Sequence, residues 1–148
     1  MRKLVIVAAM VLGFALAASA QPRAIGFRGT YGAEVSYQHI LGNGFIEADL
    51  GFVGNVPNFA ATYNIIFAKP QWTSRGDWNA YAGPGAVIGS MGGFHFAAAA
   101  QVGIEYTFWF PLQLSVDIRP QLGLNINQGN SPFHAWGYWP CIGARYVF

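Results

Sequence analysis

Charge is what this chain has least of. Only 9% of its 148 residues are Asp, Glu, Lys or Arg, against about 25% in an ordinary soluble domain. Lysine is scarcer still: beyond Lys3 there is one, Lys69. A solvated exterior normally carries many lysines, so a conventional water-facing surface does not fit. The formal charge of +2 leaves no footprint for nucleic acid. A single cysteine, Cys141, excludes an intrachain disulfide and reads as a small strand residue. The one long apolar run lies at the N-terminus, so a bundle of membrane helices of about 20 apolar residues each is excluded. The three histidines, His39, His95 and His134, are isolated and lack metal-ligand spacing. The glycines match neither a phosphate loop nor a dinucleotide fingerprint, because no helix follows them. No cofactor or metal is expected.

What the chain does have is hydrophobicity at 53%, aromatics at 16% and 19 glycines. Met1–Ala20 reads as a secretory signal peptide: Arg2 and Lys3, an apolar stretch Leu4–Ala17, then Ala18-Ser19-Ala20 as a cleavage site. Residues 21–148 form the remaining domain, with six basic and six acidic side chains once Arg2 and Lys3 are gone. Its key stretch is Leu112–Ile126, LQLSVDIRPQLGLNI, where every second residue is apolar. Period two marks a strand with one apolar and one polar face. The run exceeds an ordinary strand of about 5–6 residues and covers the 9–11 needed to cross a bilayer.

The same alternation predicts further strands over Phe45–Phe52, Phe59–Ala68, Trp78–Gly89, Phe94–Phe108 and Trp136–Phe148. Arg23–Leu41 alternates throughout and is long for one strand, so a turn near Thr30-Tyr31-Gly32 is expected to split it. Leu41–Gly44 reads as a hairpin turn, Gly54–Asn58 and Asn127–His134 as loops, Lys69–Asp77 as the longest polar connection. The split gives eight strands, the smallest of the even counts found in bacterial barrels. The fold class is therefore all-β: a transmembrane, antiparallel up-and-down β-barrel. Pro84, Pro120 and Pro140 sit inside proposed strands, where they cannot donate to a ladder.

Charge decides which face is which. Arg28, Glu34, Glu47, Asp49, Glu105, Asp117, Arg119 and Arg145 lie within strands, all on the less apolar face, and none is Lys. Arginine's planar fork can satisfy two carboxylates in a crowded interior. These eight are expected to form one network in the lumen with Gln101, Gln113, Asn64 and Thr62. An eight-stranded barrel is just wide enough for side chains to fill it, so the lumen is expected to be plugged. Trp72, Trp78, Trp109, Trp136, Tyr138 and Trp139 fall at strand ends and suit an aromatic girdle.

The last residues, Tyr146-Val147-Phe148, resemble the terminal signature of outer-membrane β-barrels. With the leader and the segments GAEVSYQH (32–39), YAGPG (81–85) and QVGIEYTFWFPLQLSVDIRP (101–120), nearly the whole mature chain resembles small barrel-domain proteins of Gram-negative outer membranes. The resemblance implies eight strands, termini in the periplasm, outer-membrane lipid around the barrel, and recognition of Tyr146 and Phe148 by the barrel-assembly machinery. It adds location rather than a task. The leading expectation is a non-enzymatic barrel with a structural or interaction role at the cell surface. Two alternatives are a lipid A-modifying barrel enzyme, for which Ser131 and His134 share the last loop but have no carboxylate near them in sequence, and a narrow channel.

Overall fold

The computed structural model describes residues 23–29, 31–90, 93–126 and 133–148. The expected leader, Met1–Ala20, lies outside them. Ten strands are formed: β1 (Arg23–Gly29), β2 (Gly32–Leu41), β3 (Gly44–Val53), β4 (Val56–Ala68), β5 (Asp77–Ser90), β6 (Phe94–Thr107), β7 (Leu112–Ile118), β8 (Gln121–Asn125), β9 (Phe133–Trp136) and β10 (Pro140–Val147). Among the described residues no helix is long and apolar enough to cross a membrane.

Each strand from β1 to β6 pairs antiparallel with the next. β6 then carries β7 along Val102–Thr107 and β8 along His95–Ala99. β7 and β8 are thus two halves of one barrel strand. β9 and β10 are likewise halves of the last, pairing with β8 and β7. β10 returns to β1, with Phe27 opposite Ala144, and the backbones of Arg23 and Phe148 exchange hydrogen bonds of 2.8 and 2.9 Å. The chain is therefore a closed, eight-stranded, antiparallel up-and-down barrel. Both termini of the described chain lie at one end, with the Gly42-Asn43 turn and the 69–76 connection. The opposite end carries Tyr31, the Gly54-Asn55 turn and the outer ends of β5, β6, β8 and β9.

The first run is split as expected, between Gly29 and Gly32; a Cβ on Gly29 would stand 2.9 Å from the Gly32 carbonyl oxygen, so the turn is tight. The expected Gly54–Asn58 loop is shorter than predicted. Only Gly54 and Asn55 turn, and Val53 pairs directly with Val56. Pro57 is tolerated in β4 because the ladder to β5 begins one residue later, at Asn58 opposite Gly89. Of the expected final loop, 127–132 lie outside the described residues, and Phe133 and His134 already belong to β9.

All three troublesome prolines fall at breaks in the ladder. Pro120 separates β7 from β8, and Pro140 begins β10. Pro84 lies opposite Ala100, whose N–H goes instead to the Pro120 carbonyl at 3.0 Å. On its other side the β4–β5 ladder skips from Thr62–Gly85 to Ile65–Ala82. The missing proline donor falls in that gap.

One phase is corrected. Gly137, at φ +83°, bends the chain between β9 and β10. The alternation slips there, so Trp136 turns toward the lumen and packs on Ala60, Val87, Ala97 and Ala99. Trp139, which strict alternation counted back from Phe148 would turn inward, is exposed.

Gly42 and Gly137 both hold positive φ, but differ in surroundings. A Cβ on Gly42 meets nothing within 4 Å, whereas one on Gly137 would stand 2.1 Å from the Arg119 carbonyl oxygen. Gly42→Ala is expected to cost only the left-handed backbone penalty, about 1–2 kcal/mol. Gly137→Ala is expected to cost at least about 3 kcal/mol, since the backbone must also move. Urea unfolding midpoints of the two refolded variants check the order.

Candidate functional site in the lumen

Alternation places one residue in two on the inner face of every strand. The lumen is therefore a readout of β1 to β10 at single spacing. All eight charges singled out in the sequence point inward, and none is more than 4% exposed. Seven of them join in one network. Arg28 sets its Nη1 on Glu34 at 2.8 Å and its Nε on Asp117 at 3.1 Å, with Nη2 also on Asp117. Arg119 sends Nη2 to both Glu34 oxygens at 2.8 and 3.0 Å and Nη1 to Asp49. Arg145 donates to Glu47 at 2.9 Å, to Ser36 at 2.9 Å and to Ser115 at 2.8 Å. A 3.9 Å contact between Arg28 and Glu47 links the two groups.

Neutral side chains complete the shell. Asn58 donates to Glu34 at 2.7 Å and Gln38 to Glu47 at 2.8 Å. Gln101 donates to Glu47 at 3.3 Å and accepts from Thr62 and Asn64. Three expected neutral partners, Gln101, Thr62 and Asn64, are thus in the network. The fourth, Gln113, is buried but its Oε1 has no hydrogen-bond partner among the described residues. Glu105 also stands apart. It accepts from Asn79 at 3.0 Å, no arginine ion-pairs with it among the described residues, and its Oε2 is unpartnered. It pairs across the ladder with Ser115, which Arg145 bonds instead.

The network separates two cavities. At the terminal end a space of about 690 Å³ is lined by Arg23, Gln38, Glu105, Gln113 and the 69–76 connection. At the opposite end a space of about 360 Å³ is lined by Arg28, Glu34, Arg119, Gln121 and three aromatics. Gln121 and His95 are buried on the polar face that alternation gives them, whereas sequence reading missed the buried residues Arg23 and Asn58. These two sit at strand ends, where alternation is counted over too few residues to assign a face.

The outer and end positions complete the inventory. Trp72, Trp78, Tyr106, Phe108 and Trp109 form a chain of ring contacts between 4.5 and 5.9 Å at the terminal end, with Arg75 over Trp109. Tyr138 and Trp139 are exposed at the other end. Trp136 does not belong to the expected girdle: its ring meets His95 at 4.8 Å and His134 at 6.4 Å inside the barrel. Tyr146 and Phe148 stack at 6.2 Å. His39 lies opposite Ile46, apart from the other two histidines. Ser131 lies outside the described residues. Among those described, no three His, Cys, Asp or Glu side chains converge to hold a metal ion.

A closed eight-stranded barrel with ion pairs inside and apolar side chains outside is the class these observations define. No family model, curated protein or solved structure matches the chain.

Asp49 depends on Arg119 alone among the described ion pairs, whereas Arg119 keeps Glu34 if Asp49 is removed. Arg119→Met is expected to cost about 3–5 kcal/mol, because it strands a buried carboxylate. Asp49→Asn is expected to cost clearly less. Combining Arg119→Met with Asp49→Leu should recover part of the loss. A double-mutant cycle on unfolding free energies reads all three.

Proposed function

We propose that the chain is an integral outer-membrane barrel of a Gram-negative bacterium, exported by its leader, with a lumen plugged by its own ion pairs. Its role is structural or interactive at the cell surface, without catalysis. Tyr146 and Phe148 serve as the signal for barrel assembly, and outer-membrane lipid is the barrel's surround. One observation carries this reading: the distribution of side chains is the reverse of a soluble protein's. Phe27, Val35, Leu50, Phe52, Phe67, Val116, Leu122 and Ile142 are exposed on the outer face, while arginines and carboxylates are buried. Soluble monomers rarely expose contiguous apolar patches beyond a few hundred Å². The strands β2 to β6, of 10 to 14 residues, suit the 9–11 tilted residues of a bilayer crossing. Aromatics at both ends suit the two headgroup layers.

A plugged lumen supports no ion path. The charges that a selective channel would use are bonded to each other, and planar-bilayer recordings are expected to lack stable open steps.

The decisive variant is Val116→Arg, on the outer face of β7. In a bilayer this charge is expected to cost roughly 2–4 kcal/mol. On a water-facing surface it would shift stability by less than about 0.5 kcal/mol. Unfolding in lipid vesicles, together with heat-modifiable gel migration of the parent protein, distinguishes the two. A near-neutral effect, or a parent that stays folded and monomeric in plain buffer, rules out the membrane reading.

A further inference from the structure

The smaller cavity, at the end away from the termini, has a lining unlike the rest of the lumen. Three aromatic rings, Tyr31, Trp136 and Trp139, stand around it, and Arg119, Gln121 and Glu34 form its polar side. The rings are held by turn geometry. Gly54 donates its N–H to the Tyr31 carbonyl at 2.9 Å, and a Cβ on Gly54 would lie 3.1 Å from the Tyr31 ring. Gly137 packs on the Arg119 carbonyl, which sets the bend that separates Trp136 from Trp139.

Two lining residues each carry a buried polar atom with no hydrogen-bond partner among the described residues: Nε of Arg119, a donor, and Oε1 of Gln121, an acceptor. Both residues are more than nine-tenths buried. Leaving such atoms unpaired is costly. We propose that this cavity binds one residue of a saccharide. A sugar ring offers a C–H face to aromatic rings, and hydroxyls that each donate and accept. A lining that carries both a donor and an acceptor with unused capacity, framed by aromatics, matches that chemistry. An anion matches less well, because Arg28 and Arg119 are already paired with Asp117, Asp49 and Glu34. The volume, about 360 Å³, lies near the bottom of the range for small-molecule sites, roughly 300–1,000 Å³. It admits a single ring rather than a chain.

This names a ligand class for the interaction role proposed above. It rests on that reading, since a barrel with periplasmic termini would turn this cavity to the cell exterior. The test uses the mature protein refolded in a sugar-free detergent, lauryldimethylamine oxide. Methyl glycosides of glucose, galactose and N-acetylglucosamine are offered one at a time, with cyclohexanemethanol as a ring bearing no ring hydroxyls. Saturation-transfer NMR is expected to show transfer to the ring protons of at least one glycoside. Trp139→Ala is expected to weaken that binding about tenfold, as is Gln121→Met. Trp139 is exposed, so its removal leaves the fold intact, and heat-modifiable migration verifies this for both variants. The site is refuted if no glycoside binds a protein that still shows heat-modifiable migration. It is also refuted if Trp139→Ala binds as well as the parent, or if cyclohexanemethanol binds as well as the sugars. Absence of heat-modifiable migration in the parent protein overturns the outer-membrane reading itself, and the site with it.

Discussion

Three buried guanidinium groups hold this barrel to one register. Arg28 on β1, Arg145 on β10 and Arg119 between β7 and β8 each bond carboxylates carried by other strands. Their partners lie up to 98 positions away in sequence, as between Arg145 and Glu47. Slipping any of these strands by one residue would turn its charges to the outer face and its apolar residues to the lumen. The ion pairs need not contribute much net stability, since desolvation offsets their attraction. What they supply is a large penalty for every alternative pairing. Between the two end cavities the side chains fill an eight-stranded barrel, which leaves little solvent to soften that penalty.

The lumen is not uniform along its axis. Arginines and carboxylates fill the middle, on β1, β2, β3, β7 and β10. Toward the end away from the termini, β4, β5 and β6 present Ala60, Val87, Ala97 and Ala99, with Trp136 packed against them. This small-residue wall is where the ladder is also least regular. Pro84, Pro120 and the Gly137 bend interrupt it within a few residues of one another in space. Arg119 lies in this interruption, between β7 and β8, and is held there by its ion pairs with Glu34 and Asp49 rather than by the ladder.

Sidedness was legible from the sequence because period two is insensitive to where a strand begins. Asp117 and Arg119 share a face whether β7 starts at Leu112 or two residues later. Pairing was less legible. Glu105 sits on the expected face yet ion-pairs with no arginine among the described residues, although Arg145 bonds Ser115 directly opposite it. Alternation gives the face and not the partner. Trp136 was misassigned for a different reason. Counting from Phe148 keeps Trp136 outward only if nothing slips, and the positive-φ Gly137 slips the count by one. A glycine between two tryptophans carries no mark, in one sequence, that separates a bend from an ordinary strand position.

The division of labour follows from these contrasts. The ion pairs occupy the centre of the barrel, so the space open to a ligand lies at its two ends. Among the described residues, Asp49 and Asn64 keep an unpartnered oxygen within the central network, while Glu105 and Gln113 do so beside the terminal cavity, and Arg119 and Gln121 carry an unpartnered atom beside the other. Arg119 belongs to both descriptions. Its Nη atoms bond Asp49 and Glu34 while its Nε remains unpaired. The same side chain that fixes the register of β7 and β8 therefore also lines the cavity framed by the aromatics. Whatever docks there meets a side chain whose position is set by the network, so recognition there would inherit the rigidity of the barrel rather than depend on its loops.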